Sequence, residues 1–378
     1  MPMHQNTTGK ETGVTKREAQ ILTILRKNPT ISHKELAERL GITRSAASVH
    51  LTNLTKKGKI IGRGYILEQP NYAVVIGGTN MDVNGFSSGP LIPQNFNAGK
   101  IRLEPGGEAR NLAENLARLG MGVKLISSIG GDVFGEKILA DCRSLGIDVT
   151  GCLVLPGESS SLFIGIVSPD GEMALGLSDM TIERRITPAF LEGRWGALAG
   201  AKVMSVGSGL PCESIEYLLT AFAGKEIVID AGSVAKLSAI RHLISAIPTL
   251  QLNSAEAEYL SSIAISTEKE ALRAAKQIGR MGPKRVVVTM GARGVALSSA
   301  SGEGIYRTRP VKPVSDAGVG TAFTSGLCYG LAYDYSEEDT IFHALACAAL
   351  NLEGESAVNH NLSLKSVQDL AQQLSREQ

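Results

Sequence analysis

Ser315-Asp316-Ala317-Gly318-Val319-Gly320-Thr321-Ala322-Phe323 is the stretch on which the reading of this chain turns. Two glycines one residue apart run into a helix of small residues. Backbone N–H groups at such a helix start face outward at the positive end of the helix dipole, so the turn is a natural phosphate cradle. Thr321, the residue after the second glycine, cannot act as a base near neutral pH.

Upstream of this turn, β runs alternate with helical stretches. Ala73 to Ile76 is a buried-strand pattern ending in Gly77-Gly78, and Gly107 to Leu119 reads as helix. Val123–Ile129, Leu162–Val167, Val203–Val206, Ile227–Asp230, Thr249–Leu252 and Val286–Thr289 read as further strands. The alternation predicts an α/β domain with a doubly wound sheet, which binds ligands beyond the carboxyl ends of its strands. Short runs near 87–104 and 162–177 predict a few extra strands forming a small β lid.

The motifs fall at those strand ends. Gly77-Gly78-Thr79-Asn80-Met81-Asp82 follows the first strand. Gly106-Gly107-Glu108-Ala109-Arg110-Asn111 opens the helix, where Asn111 offers a donor and an acceptor to sugar hydroxyls. Gly130-Gly131-Asp132 follows the next strand. Asn253-Ser254-Ala255-Glu256 places an amide and a carboxylate where a hydrated Mg²⁺ beside phosphates is expected. Thr289-Met290-Gly291-Ala292-Arg293-Gly294 would pass a nucleotide. Each motif alone is weak; their order and spacing together carry the reading.

Charge divides the chain. Of its 378 residues, the first 68 have a balance of +7, and the remainder balances at −6. A basic head on an acidic body predicts that the head meets a polyanion. Within it, Ile21, Leu22, Ile24 and Leu25 form a helical stripe that stops at Asn28-Pro29. Ser32 and Glu35 are spaced as a capping box. Gly41 turns, and Thr43 caps a third helix to about Lys57 with Val49, Leu51 and Leu54 on its apolar side. Two short β runs around Gly62-Arg63-Gly64 predict a hairpin wing. Polar MPMHQNTTGKETG at the start predicts a disordered tail over 1–14. The five cysteines lack metal-ligand spacing and fit a reduced, cytoplasmic protein. No apolar run approaches the roughly 20 residues of a membrane span.

Residues 15–68 resemble a winged helix-turn-helix DNA-binding domain, with a helical docking or dimerisation module as the alternative. The resemblance implies that the third helix enters the major groove of double-stranded DNA. Ser45, Ser48 and Asn53 would then offer hydrogen bonds, and Arg44, Lys56, Lys57 and Arg63 would meet phosphates. Paired half-sites would imply a homodimer.

Residues 72–372 resemble the ribokinase-like (PfkB) carbohydrate kinases. Gly106 to Leu116, Leu177-Ser178-Asp179-Met180, Ser233-Val234-Ala235-Lys236 and Ala357-Val358-Asn359 look like the pseudouridine kinase branch. The resemblance implies ATP and Mg²⁺ as cofactors. It implies that Asp82, Gly106, Gly107 and Asn111 hold the sugar, with Ser178, Asp179 and Met180 in a lid loop near the base. Asn253 and Glu256 would serve Mg²⁺ indirectly, Thr289, Gly291 and Gly294 would lie along ATP, and the Gly318-Val319-Gly320 amides would form the anion hole. The family's catalytic Asp corresponds to Thr321. Ser315 stands where an Asp near a K⁺ site is frequent, and Asp230-Ala231 replaces Asp-Pro. These departures lead to a pseudokinase-like nucleoside or sugar sensor that regulates transcription. The alternatives are an active ATP-dependent kinase and a ligand-free docking protein. Asp316 is a candidate displaced base, disfavoured because it precedes the anion hole.

Overall fold

The computed structural model describes residues 14–27, 31–60 and 71–377. The expected tail up to Gly13, and the wing with Arg63, lie outside the described residues. The chain divides into two compact units between Pro70 and Asn71.

The first unit holds α1 (Lys16–Lys27), α2 (His33–Leu40) and α3 (Arg44–Lys56). Ile21, Leu22, Leu25, Ile31, Leu36, Leu51, Leu54 and Ile60 form its core. Thr43 caps α3 by accepting the Ala46 N–H, and Ser32 caps α2 by accepting the Glu35 N–H. The box at α2 is only half made. Glu35 reaches forward to Arg39, 2.8 Å away and one turn on, because that ion pair competes for its carboxylate. Val49 also departs from expectation: it is 58% exposed, while Ala47, Leu51 and Leu54 make the inward face. Spacings of four and three keep those three on one side, and Val49 falls outside that stripe.

Arg44, Ser45, Asn53 and Lys56 are exposed on α3. Ser48 is tied inward, its Oγ 3.1 Å from His33 Nδ1. Lys57 is committed elsewhere: its Nζ lies 3.0 and 2.8 Å from the two carboxylate oxygens of buried Glu18. That contact, together with the Thr15 N–H, holds the Glu18 carboxyl below the usual carboxylate range. Lys57 is therefore a structural cation first, since removing it would strand a buried charge.

The second unit is built on an eight-stranded sheet. Its strands are β1 (Tyr72–Ile76), β4 (Gly122–Ile126), β7 (Val203–Gly207), β8 (Glu226–Asp230), β9 (Thr249–Asn253), β10 (Arg285–Thr289), β11 (Val295–Ser299) and β12 (Glu303–Tyr306). The spatial order is β12-β11-β10-β9-β8-β7-β1-β4. All pairs from β10 to β4 are parallel, and β11 and β12 fold back antiparallel. Two large apolar clusters cover the two faces, as near-continuous Val/Ile/Leu strands require. The expected single strand over 123–129 stops at Ile126, and a separate short strand begins at Ser128.

A second sheet holds β2 (Asn80–Ser87), β3 (Gly99–Gly106), β5 (Ser161–Val167) and β6 (Met173–Asp179), in the order β3-β2-β5-β6. β2 leaves Gly77-Gly78 almost directly, so Asp82 stands where the lid joins the main sheet.

The two lysines at the end of α3 should separate in a melt. Lys57→Met should lower the stability of the first unit. Lys56→Met should change it by less than about 0.5 kcal/mol, as for ordinary surface positions. Urea unfolding of both variants checks this, and equal effects would contradict the assigned role of Lys57.

Candidate active site

β1, β7, β8, β9 and β10 end side by side, at Ile76, Gly207, Asp230, Asn253 and Thr289. Over these ends lies the start of α7 (Val319–Ala332), a helix buried along most of its length; the other helices used here are α4 (Glu108–Arg118), α5 (Val133–Ser144), α6 (Ser254–Ser261) and α8 (Glu337–Asn351). Gly318 caps α7 in the left-handed region, with φ of 72°, and no side chain caps the helix. A Cβ there would drive into the Ala357 carbonyl, so the position requires glycine for space as well as for conformation. The Val319 N–H reaches the Asp316 carbonyl at 3.4 Å, while the N–H groups of Gly320 and Thr321 are left at the helix start, where an anion fits.

One cleft beside this turn has a volume of about 370 Å³ and is mostly apolar. Thr289, Gly291 and Gly294 form one wall, Val319 and Gly320 lie at its end, and Phe323, Leu345, Ala348 and Leu352 supply the apolar surface. A Cβ on Gly294 would strike the Tyr306 carbonyl, so the wall stays flat. A flat apolar slot leading to an anion hole fits an adenine nucleotide. Asp316 lines this same cleft.

The second cavity, of about 230 Å³, lies on the other side. Gly77, Gly78, Gly107, Ser178 and Met180 line it, together with Glu108, Glu183 and Lys236. Lys236 Nζ is 3.7 Å from Glu108 Oε2. Burial, with Asp230 adding to it, pushes the Glu108 carboxyl up to about 7 despite Lys236. Burial also raises Glu183, with Lys236 opposing. Sequence reading missed this convergence. Glu108 sat inside a quoted motif and Lys236 in another, but nothing in their spacing says that they meet.

Asp82 faces a neighbouring cleft of about 670 Å³, shared with Arg102, Glu104 and the 353–361 loop. Its Oδ1 accepts Asn80 Nδ2 at 2.6 Å, and burial raises its pKa. Gly106 is pressed against the Asp82 carboxylate. Asn111 Oδ1 accepts a hydrogen bond of 2.9 Å from Arg110, which is itself paired with Asp141 at 2.6 Å. One of its two lone pairs is thus engaged, and the other remains beside the Nδ2 donors. Asp179 is also engaged locally, accepting the Thr181 N–H and hydroxyl at 3.0 and 2.6 Å.

Asn253 and Glu256 form a reciprocal capping box at α6, and Glu256 is 1% exposed. Both Glu256 oxygens accept from Asn253, at 2.8 and 2.9 Å. This suits contact with a metal through water better than direct ligation. Among the described residues no group of three or more His, Cys, Asp or Glu is placed to hold a metal ion.

Asp230 completes the arrangement. Its Oδ1 accepts the Gly232 N–H at 3.1 Å, and its Oδ2 accepts Gln251 Nε2 at 3.2 Å. Thr324 Oγ1 lies 2.7 Å from Gln251 Oε1, 3.2 Å from Asp230 Oδ2 and 3.0 Å from the Gly320 carbonyl. One hydroxyl proton is shared among three acceptors. Thr321, one residue after Gly320, is partly exposed, and its carbonyl accepts from Ser325 at 2.7 Å.

Residues 70–363 match the model of the pfkB family of carbohydrate kinases. The chain belongs to that family. Residues 15–61 match the winged helix-turn-helix DNA-binding model. Escherichia coli K12 supplies two relatives. An uncharacterized sugar kinase named YeiI is 34% identical, covering 92% of this chain and 96% of the relative. A pseudouridine kinase is 32% identical, covering 81% and 98%. The structure of a carbohydrate kinase from Agrobacterium tumefaciens superposes with a TM-score of 0.71 at 25% identity, over 80% of this chain and 97% of that one. The pfkB body is thus spanned almost whole, and the α/β ribokinase-like fold and N-terminal winged helix read from the sequence are both present. No described helix is long and apolar enough to cross a membrane.

Two outcomes test this geometry. Gly318→Ala should cost roughly 1–3 kcal/mol from backbone strain and abolish any rise in melting temperature given by ATP; a full ATP shift in the variant would contradict the cradle. The second concerns pH. Glu108 keeps a proton in the folded state that the unfolded chain, with a value near 4.5, has released. Its contribution to stability is therefore present at low pH and lost as pH rises through about 7. The native melting temperature should fall more between about pH 5 and 8 than that of Glu108→Gln, with the two curves meeting at the acid end.

Proposed function

We propose that this pfkB-family protein binds a nucleoside or sugar together with ATP and Mg²⁺, and that occupancy of the body sets DNA binding by the winged helix. Phosphotransfer in this reading is slow. The observation that carries it is the uncapped helix start at Gly318–Gly320, intact as an anion cradle, with Thr321 at the base position. Positioning and electrostatics supply most of phosphoryl-transfer catalysis, so the cradle retains function without a base at 321. Ligand regulates DNA contact only if it binds two conformations with different affinity, and closure of the β2-β3-β5-β6 lid is the proposed two-state element. A homodimer would present two α3 helices to paired half-sites. A K⁺ ion near Ser315 would meet a hydroxyl in place of a carboxylate; that hydroxyl accepts the Ala317 N–H at 3.2 Å.

A second reading, an active nucleoside or sugar kinase, is favoured by the near-complete coverage of relatives named as kinases and by the Asp230 carboxylate at the site.

A phosphotransfer assay over a nucleoside and sugar panel, run on the native chain and on Thr321→Asp, separates the two. The proposed reading expects a gain on the order of 10²–10⁴-fold in Thr321→Asp, the usual worth of a positioned base. Native turnover in the ordinary range of about 1–100 s⁻¹ would sink it in favour of the kinase. DNA affinity should fall as salt rises, with Arg44→Ala and Lys56→Ala each reducing the salt slope by about one phosphate contact.

A further inference from the structure

A helix start stays open to an anion only if its N–H groups are not answered from within the chain. In a regular helix the Thr321 N–H would turn back to the Ala317 carbonyl, four residues earlier. Here a side chain takes that carbonyl. Asn351, the last residue of α8, donates from Nδ2 to the Ala317 oxygen at 2.9 Å. The bond also sets a direction. In a trans peptide the C=O and the following N–H point to opposite sides, and none of the described peptide bonds is cis. Holding the Ala317 oxygen toward α8 therefore turns the Gly318 N–H away from that helix.

The other end of the same amide is equally committed. Asn351 Oδ1 accepts the Asn359 N–H at 3.2 Å, and Asn359 Nδ2 donates to the Leu350 carbonyl at 2.6 Å. The Asn351 carbonyl accepts the Gly354 N–H at 2.9 Å. One partner of the amide can only accept and the other can only donate, so the network fixes which way it faces. Asn351 is 0% exposed, and a buried amide engaged at both ends is held rigidly. Its contacts reach both clefts. Ala317 and Asn359 line the one that Asp82 faces, while Val319, Gly320 and Leu352 line the apolar one.

We propose that Asn351 is the positioning residue of the anion cradle: its amide holds the Ala317 carbonyl out of the helix, so that the N–H groups at the start of α7 stay free for the phosphates of a nucleotide. This rests on the reading that the body binds ATP. Asn351 meets no phosphate itself and acts through the Ala317–Gly318 peptide. Without the amide, the carbonyl can close onto the Thr321 N–H, and the helix start then satisfies itself.

The test compares ATP with adenosine, both in Mg²⁺, by calorimetry on the full chain. Adenosine offers the same base to the apolar cleft but carries no phosphate. Asn351→Leu keeps much of the side-chain volume and loses the amide. It should weaken ATP roughly 10–100-fold, the worth of a hydrogen bond to a charged group, with adenosine within about threefold of native. If Asn351→Leu does not fold, Asn351→Ala removes the same donor without branched bulk and carries the same expectation. Native-like ATP binding in the Asn351 variant overturns the proposal and leaves the proposed function standing. Equal weakening of ATP and adenosine also overturns it, since the amide would then serve packing alone. If the native chain binds ATP no tighter than adenosine, the cradle holds no phosphate, and this proposal and the nucleotide reading fall together.

Discussion

The amino end of the buried helix Val319–Ala332 is left without a side-chain cap, and the rest of the site is arranged around that fact. A glycine cap costs only about a few tenths of a kcal/mol relative to a side-chain cap. Here a cap is ruled out by packing: Gly318 is jammed against the Ala357 carbonyl. An anion meeting those N–H groups offsets the cost. The flat apolar cleft and the strand-end glycines lie beside that unsatisfied end.

Around it the electrostatics are uneven. Glu108, Glu183 and Asp230 crowd toward a single lysine, Lys236, and burial raises all three carboxyls. The positive charge of the helix start is therefore matched on the ligand side by carboxylates that hold their protons unusually well. With Thr321 at the helix start, the surroundings are still acidic and not apolar.

The parallel strands were legible in the sequence because buried strands read as unbroken apolar runs, and their ends fell where the glycine motifs said they should. The helix caps at Thr43 and Ser32 were legible because capping is local. Contacts formed across the sheet were not. Glu108, Glu183 and Lys236 come from three separate segments, and only the sheet order β8-β7-β1 brings them to one cavity. Lys57 read as a surface cation because its partner, Glu18, lies 39 positions earlier. Val49 misled because a three-residue apolar set can be drawn on more than one helical face, and only packing against α1 and α2 selects Ala47 in its place.

Asn111 leaves a last consequence. Its amide is turned so that Arg110 occupies the oxygen, and Arg110 is anchored in turn by Asp141 and Glu114. The guanidinium thereby fixes which way the amide faces. A half-turn of the amide would set Nδ2 against the Arg110 guanidinium, donor against donor, so the positions of its donor and acceptor are held without any ligand.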